Sequence, residues 1–278
     1  MKIISWNVNG IRSRIFNEKI SSEIKRDKII IPEENSPIGI LLKQYDPDVF
    51  CFQETRCSIK NGEKFNISGY KGIFNESKLE GNRSCDRYSG TSIFIKESIN
   101  VNKVEYSIPE YHDLEGRIII IYTDDYIIIN VYSPNSGSNY ENKIKFMECI
   151  LKFLDNLTGR IIFCGDMNIA IDTHFDKTKK EPGPGFYKHE LEFYDKLKGI
   201  NFVDSISKED DIIYTWWDPR QRKENGMSMS RNRNKGWRLD YFFLKGCNQL
   251  SSKVLKHIGE NNNNIPLASD HAPILLSP

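Results

Sequence analysis

The chain of 278 residues, 38% hydrophobic, 12% aromatic and 28% charged, has a globular composition that excludes a disordered or fibrous protein. Its 39 Lys and Arg against 38 Asp and Glu leave a formal net charge of +1, so affinity for a polyanion must come from local clustering. The six cysteines form no C-x-x-C pair, no apolar run nears the roughly 20 residues of a membrane span, and the opening MKIISWN has no signal-peptide core. These features predict a soluble, intracellular protein with reduced thiols, nuclear or cytoplasmic, forming a single domain over residues 1–278.

In chain order, strand-length runs rich in Ile, Val, Tyr and Phe fall at Ile3–Trp6 and Val49–Gln53. Between them a loop is expected at Arg26–Ser36 and a short helix at Gly39–Tyr45. Further strands are predicted at Thr91–Ile95, Ile118–Tyr122 and Ile127–Tyr132, the last two joined by a tight Asp124-Asp125 turn. Tyr140–Leu157 places Ile144, Met147, Ile150, Leu151 and Leu154 at spacings of 3 and 4, which predicts an amphipathic helix. A strand at Ile161–Cys164, a loop at Thr173–Gly185, a helix at Glu190–Leu197, a loop at Arg220–Gly236 and a strand at Leu239–Leu244 follow. Hairpins mixed with helical crossovers predict an α/β (α+β) protein with a pair of mixed, mostly antiparallel sheets and helices outside.

The strand endings carry the chemistry. Ile3–Trp6 runs into Asn7 and Asn9, Val49–Gln53 into Glu54, and Ile127–Val131 into Tyr132 and Asn135. Ile161–Cys164 runs into Gly165, Asp166 and Asn168, and the last segment carries Ser269, Asp270 and His271. Each ending alone is an ordinary turn former or surface group. Together, if the strands are neighbours, they gather carboxylates, amides and one imidazole on one rim. Such an oxygen-rich set suits a hard octahedral cation, magnesium or manganese, and not zinc.

The stretches SWNVNGIR (5–12), QETRC (53–57), YSPNSG (132–137), GDMN (165–168), YTWW (214–217), GWRLDYFF (236–243) and SDHAP (269–273) resemble, in order, the motif series of the exonuclease III / AP endonuclease family. The resemblance spans nearly the whole chain. It implies a four-layered sandwich of two sheets packed face to face with helices outside. It implies metal-site roles for Asn7, Glu54, Asp166, Asn168, Asp270 and His271, with Mg2+ as cofactor and Mn2+ as its substitute. Asp166 would orient or deprotonate the attacking water, and Asn168 would bond the phosphate. Asp270 would orient His271 on the scissile phosphate, Asp240 would hold the imidazole, and Tyr132 would be the active-site phenol. How Asp166, Tyr132 and His271 divide the proton transfers stays open. An amide at Asn9, where some members carry an acid, implies one tightly held ion.

Relatives of the same fold that act on lipid or inositol phosphates use a second histidine where this chain has Tyr132, which favours the abasic-site branch. The implied activity is hydrolysis of duplex DNA 5′ to an abasic site, leaving a 3′-hydroxyl, with 3′-phosphodiesterase and 3′-to-5′ exonuclease side activities. The implied partner is double-stranded DNA with abasic sites or blocked 3′ ends, bound by a monomer without membrane contact. Trp216, Trp237 and Leu239 would wall a pocket for a base-free deoxyribose, although tryptophans are as readily core. From Tyr214 to Asp240 seven Lys and Arg face three Asp and Glu, a local basic excess suited to phosphate contacts. Met227 reads either as an apolar wedge into the base stack or as part of a solvated loop. Arg12, Arg56 and Asn135 are further expected DNA contacts, with Arg87 and Arg117 behind them. The competing readings are a phosphoesterase of the same fold acting on lipid or inositol phosphates, and a catalytically idle binder of damaged DNA.

Overall fold

The structure is a computed structural model that describes residues 1–12, 29–137, 139–171, 183–206, 214–220, 223–224, 227–247, 249–255 and 269–278, without the side chains of 223, 224 and 227–229. Residues 26–28, 173–182, 221–222 and 225–226 of the three expected loops, and the side chain of Met227, lie outside that description. The strands are β1 Ile3–Asn7, β2 Val49–Gln53, β3 Tyr70–Asn75, β4 Thr91–Lys96, β5 Val101–Glu105, β6 Ile118–Thr123 and β7 Ile127–Tyr132. After these come β8 Ile161–Asp166, β9 Val203–Asp204, β10 Lys223–Glu224, β11 Met227–Ser228, β12 Asp240–Lys245, β13 Ser251–Val254 and β14 Ile274–Ser277. The longer helices are α1 Pro37–Tyr45, α2 Tyr140–Asp155 and α3 Lys188–Gly199.

Two sheets of six strands form, ordered β13-β14-β1-β2-β4-β3 and β5-β6-β7-β8-β12-β9. In each sheet one central pair is parallel, β1 with β2 and β7 with β8, and the other pairings are antiparallel. A parallel pair sends both C-terminal ends to the same edge. Asn7 therefore faces Gln53, and Tyr132 faces Asp166. The antiparallel neighbour β12 begins at that edge, with Asp240 opposite Asp166.

Side-chain alternation does the rest. Residues 3, 49, 51, 93, 95, 119, 121, 128, 162, 164, 242 and 244 point inward and form one apolar core between the sheets. The alternate residues Ile4, Trp6, Phe50, Phe52 and Phe94 point outward and pack with Ile38 and Leu41 of α1. On the other sheet Ile120, Ile129, Phe163 and Phe243 pack outward with Phe146, Ile150 and Leu154 of α2 and Phe193 and Leu197 of α3. The order helix, sheet, sheet, helix is the four-layered sandwich that the motif series implied. Each fully buried Ile or Phe adds about 1.5–3 kcal/mol of burial free energy.

Following the inward face of each central strand to the common edge, apolar residues give way to polar ones. Ile3 leads to Ser5 and Asn7, Cys51 to Gln53, Ile128 to Asn130 and Tyr132, and Cys164 to Asp166. Phe242 leads back to Asp240. The functional edge is thus the polar end of the inter-sheet core. The expected hairpin at Asp124 and Asp125 forms, with Thr123 N–H donating to Tyr126 C=O at 2.9 Å. The strands β3, β5, β9, β10, β11, β13 and β14 were not expected, and β10 and β11 lie within the loop expected at Arg220–Gly236. β3, β5 and β13 are partly exposed edge strands without clean alternation, β14 is four residues long, and β9, β10 and β11 have two residues each.

Gly165 sits inside β8 with φ +132°, and a Cβ there would lie 1.9 Å from the Val131 carbonyl oxygen. Glycine is required because β7 approaches too closely for any side chain. Gly165→Ala is expected to destabilise the fold by more than about 3 kcal/mol, read as a lowered urea midpoint with an unchanged m-value.

Candidate active site

At the common edge four carboxylates, Glu54, Asp166, Asp240 and Asp270, are held by a set of donors reaching in from different strands. Asn7, at the end of β1, donates its Nδ2 to Glu54 Oε1 at 3.1 Å and to Asp166 Oδ2 at 2.9 Å. Its Oδ1 accepts the Asn9 N–H at 3.1 Å, and Asn9 Nδ2 donates to Asp270 Oδ1 at 3.0 Å. Tyr132 donates its hydroxyl to Glu54 Oε1 at 2.7 Å, while Arg56 pairs with Glu54 Oε2 at 2.6 Å. Asp166 Oδ1 accepts the Asn168 N–H at 2.8 Å. Asp270 Oδ2 accepts the Trp216 indole N–H at 3.0 Å. Several of these residues occupy the left-handed backbone region: Asn9, Glu54, Arg56 and Asn168 have φ between +46° and +49°. Non-glycine residues persist there only when the surroundings over-determine them, and such strain gathers at functional sites.

His271 is buried, with Nδ1 2.9 Å from Asp240 Oδ2 and Nε2 3.8 Å from Asp166 Oδ2. Burial disfavours its charged form, but Asp240 and Asp166 outweigh that and push the imidazole up to about 10. Burial drives Asp166 the other way from an ordinary carboxylate, up to about 7, with His271 opposing the rise. Burial and the neighbouring Glu54 keep the Tyr132 phenol protonated well above its usual range. Asp270 is half-buried, which favours its neutral form, yet His271 and the bonds from Trp216 and Asn9 hold it below the usual carboxylate range. Ligand atoms of Asp166, Asp240 and His271 lie within 4.8 Å of one another, close enough to share a metal ion.

Glu54, Asp166 and Asp270 open on a cleft of about 800 Å³ whose lining includes Tyr132, Asn135, Asn168, Trp216, Trp237 and Leu239, while Asp240 is buried beside it. Trp216 and Trp237 are half-buried and stand edge to face with ring centroids 6.0 Å apart. They are walls and not core. The core tryptophan of the YTWW stretch is Trp217, 3% exposed.

Residues 4–271 match the profile of the Endonuclease/Exonuclease/phosphatase family. The chain belongs to that family. It is 30% identical to an exodeoxyribonuclease of Bacillus subtilis over 99% of this chain and 98% of that protein. It is equally 30% identical to a DNA-(apurinic or apyrimidinic site) endonuclease of Dictyostelium discoideum, over 99% of this chain and 69% of that protein. The fold matches an AP endonuclease structure from Archaeoglobus fulgidus with TM-score 0.75 and 22% identity, covering 100% of this chain and 98% of that one.

Among members of the Endonuclease/Exonuclease/phosphatase family this chain is of the exonuclease III type, and every expected catalytic and metal-site residue lies at the one edge. Three details differ from expectation. Asp270 does not orient His271: its carboxylate accepts from Trp216 and Asn9, and the imidazole is held by Asp240, as the motif series implied. Arg117, considered as a phosphate contact, is 3% exposed. Its guanidinium bonds Glu115, Tyr88 OH and the Tyr132 carbonyl, and lies 4.6 Å from the Tyr132 ring centroid. It supports the phenol from beneath. Arg12 is half-buried and donates to the Asp86 carbonyl at 3.0 Å, so its side chain is directed away from the carboxylates. Within the basic 214–240 stretch Arg238 is spent on a buried pair with Asp204, whereas Arg220, Arg233 and Lys235 line the cleft.

Sequence reasoning missed three supports. Thr215 Oγ1 accepts the backbone N–H groups of Leu239 at 2.9 Å and Asp240 at 3.1 Å, fixing where β12 starts. Gln53 and Asn130 bond each other at 2.7 Å between the sheets. Lys143 reaches the edge from α2, and its signal was its helical phase: Lys143, Met147, Ile150 and Leu154 form one stripe at spacings of 4, 3 and 4.

Asp240→Asn removes the charge that outweighs burial at His271. Imidazole nitrogen shifts followed by NMR without metal should then show the titration moving down from about 10 toward or below the ordinary histidine value. An unchanged titration would mean that Asp166 alone holds the imidazolium.

Proposed function

We propose that this chain is a DNA-(apurinic or apyrimidinic site) endonuclease of base excision repair. It hydrolyses the phosphodiester 5′ to an abasic site and leaves a 3′-hydroxyl, with 3′-phosphodiesterase and 3′-to-5′ exonuclease side activities. It works as a monomer and a single catalytic domain on double-stranded DNA. The observation that carries this reading is the sharing of one cleft by the tryptophan walls and the acid–imidazole cluster. A flipped, base-free deoxyribose is a slim sugar that costs little to extrude, and two edge-to-face indoles beside Leu239 form a slot for such a group.

The carboxylates of Glu54, Asp166 and Asp270, spaced by the Asn7 and Asn9 amides, form an oxygen donor set that fits Mg2+, with Mn2+ as substitute. Glu54 and Asp270 would hold the ion, and Asp166 beside them would stay available to take a proton. His271 is a poor ligand while its imidazole stays protonated, because an imidazolium has no lone pair to offer. The bound cation neutralises part of the charge that builds on the phosphate.

Hydrolysis forms a bond from water oxygen to phosphorus and breaks the bond from phosphorus to the 3′-oxygen. One proton leaves the water and one must reach the departing oxygen. Asp166 is the base: burial lifts it to about 7, where a carboxylate can accept a proton near neutral pH. Asn168 supplies an uncharged N–H donor, and the His271 imidazolium supplies a charged one, to phosphate oxygens. Tyr132 carries its proton beside Glu54.

A duplex with a tetrahydrofuran abasic analogue is expected to be nicked once, 5′ to the analogue, in magnesium and not in EDTA. Asp166→Asn should slow single-turnover nicking by roughly 1,000-fold while binding of the same duplex in EDTA is retained. Nicking at equal rate by Asp166→Asn would remove Asp166 as base, and turnover of inositol phosphates with no action on the duplex would favour the other phosphoesterase reading.

A further inference from the structure

Lys143 is fully buried, in the first turn of α2, and no catalytic role drawn above uses it. Its Nζ donates to Ser133 Oγ at 2.8 Å and to the Met167 carbonyl at 2.5 Å. These two acceptors follow directly on Tyr132 and Asp166, the last residues of the parallel strands β7 and β8.

The Met167 carbonyl belongs to the peptide unit whose N–H is that of Asn168. One end of this unit points down to Lys143. The other points up to Asp166 Oδ1 at 2.8 Å. Asn168 follows in the left-handed region, φ +49°, and its side-chain Nδ2 donates to the Ser133 carbonyl at 2.9 Å. A rotation of that peptide plane would take the N–H from Asp166 and disturb Asn168 together. We infer that Lys143 is a positioning residue for the reaction, its ammonium pinning the Met167–Asn168 peptide so that its N–H stays aimed at Asp166. This rests on the phosphodiesterase reading of the site.

A lysine is a costly choice for this place. A buried cation is penalised by desolvation, and the helix N-terminus repels a positive charge. Burial accordingly pushes Lys143 down to about 7, against the pull of Glu190 and Asp166. Methionine would fill the same stripe without burying a charge.

Lys143→Met, Lys143→Arg and the wild type are compared on the abasic duplex in magnesium, with thermal unfolding and duplex binding in EDTA measured alongside. Lys143→Met is expected to unfold somewhat lower than the wild type, since Ser133 Oγ and the Met167 carbonyl lose their donor, and to bind the duplex equally. Its KM should stay within about twofold while kcat falls by roughly 30- to 100-fold. Lys143→Arg, which keeps the charge and N–H donors, should recover most of the loss. If Lys143→Met does not fold, Lys143→Gln takes its place; failure of both to fold assigns Lys143 a structural role and overturns the inference. So does an unchanged kcat, a rise in KM matching the fall in kcat, or an arginine variant as slow as the methionine one. A wild type that leaves the duplex intact sinks the phosphodiesterase reading and this inference with it, whereas an active wild type matched by Lys143→Met overturns the role of Lys143 alone.

Discussion

Glu54, Asp166 and Asp270 share one cleft, with the buried Asp240 close to Asp166, and the surrounding structure is arranged to withstand the repulsion among these carboxylates. Two unit charges 4 Å apart at a protein surface cost about 4 kcal/mol. Asn7 is placed between Glu54 and Asp166 with its N–H groups toward both, and Asn9 repeats the arrangement at Asp270. An amide donor softens the repulsion without adding a charge that would compete with a cation. Where a positive group is used, it is set to one side: Arg56 takes the far oxygen of Glu54, and His271 lies between Asp240 and Asp166. The space in front of Glu54, Asp166 and Asp270 is left to the cleft.

That arrangement needs the two sheets in fixed register, because the donors and acceptors come from both. Glu54 and Asn7 belong to one sheet, Tyr132, Asp166 and Asp240 to the other. Directly behind them Gln53 Nε2 bonds Asn130 Oδ1, while Asn130 Nδ2 donates to the carbonyls of Phe52 and Ser92. These bonds cross the sandwich where its apolar core ends. A purely apolar interface tolerates sliding, whereas a buried amide pair satisfies its groups in one register only. The strained backbone of Glu54 is thereby stabilised from the residue immediately before it.

The central strands were legible because their inward and outward residues are both apolar and their ends turn abruptly polar. The edge strands β3, β5 and β13 were not, since partial exposure mixes Lys, Asn and Glu into them and erases the alternation. The site residues were legible as a motif series, and so was the Asp240 contact to the imidazole; the place of Asp270 was not. Asp270 adjoins His271 in sequence, yet donors distant in the chain, Trp216 and Asn9, take up its carboxylate instead. Lys143 was hidden because a lysine in an amphipathic helix is ordinarily assigned to solvent; its place in the buried stripe carried the contrary signal.

The charge layering of the cleft explains how a chain of net charge +1 manages a polyanion. Its floor is acidic and its rim basic, with Arg220, Arg233 and Lys235 on the lining. Arg220 is drawn to Asp218, and among the described residues Arg233 and Lys235 are exposed cations of that rim as well. A phosphate backbone is attracted to the rim and repelled by the floor until a cation is bound there. Attraction and reaction are therefore separable: the rim governs encounter and its salt dependence, and the floor governs chemistry. Trp216 joins the two layers, since one indole both walls the slot and donates to Asp270. A sugar that displaced this ring would also disturb a carboxylate of the floor, so fit in the slot and readiness of the acid cluster are mechanically linked.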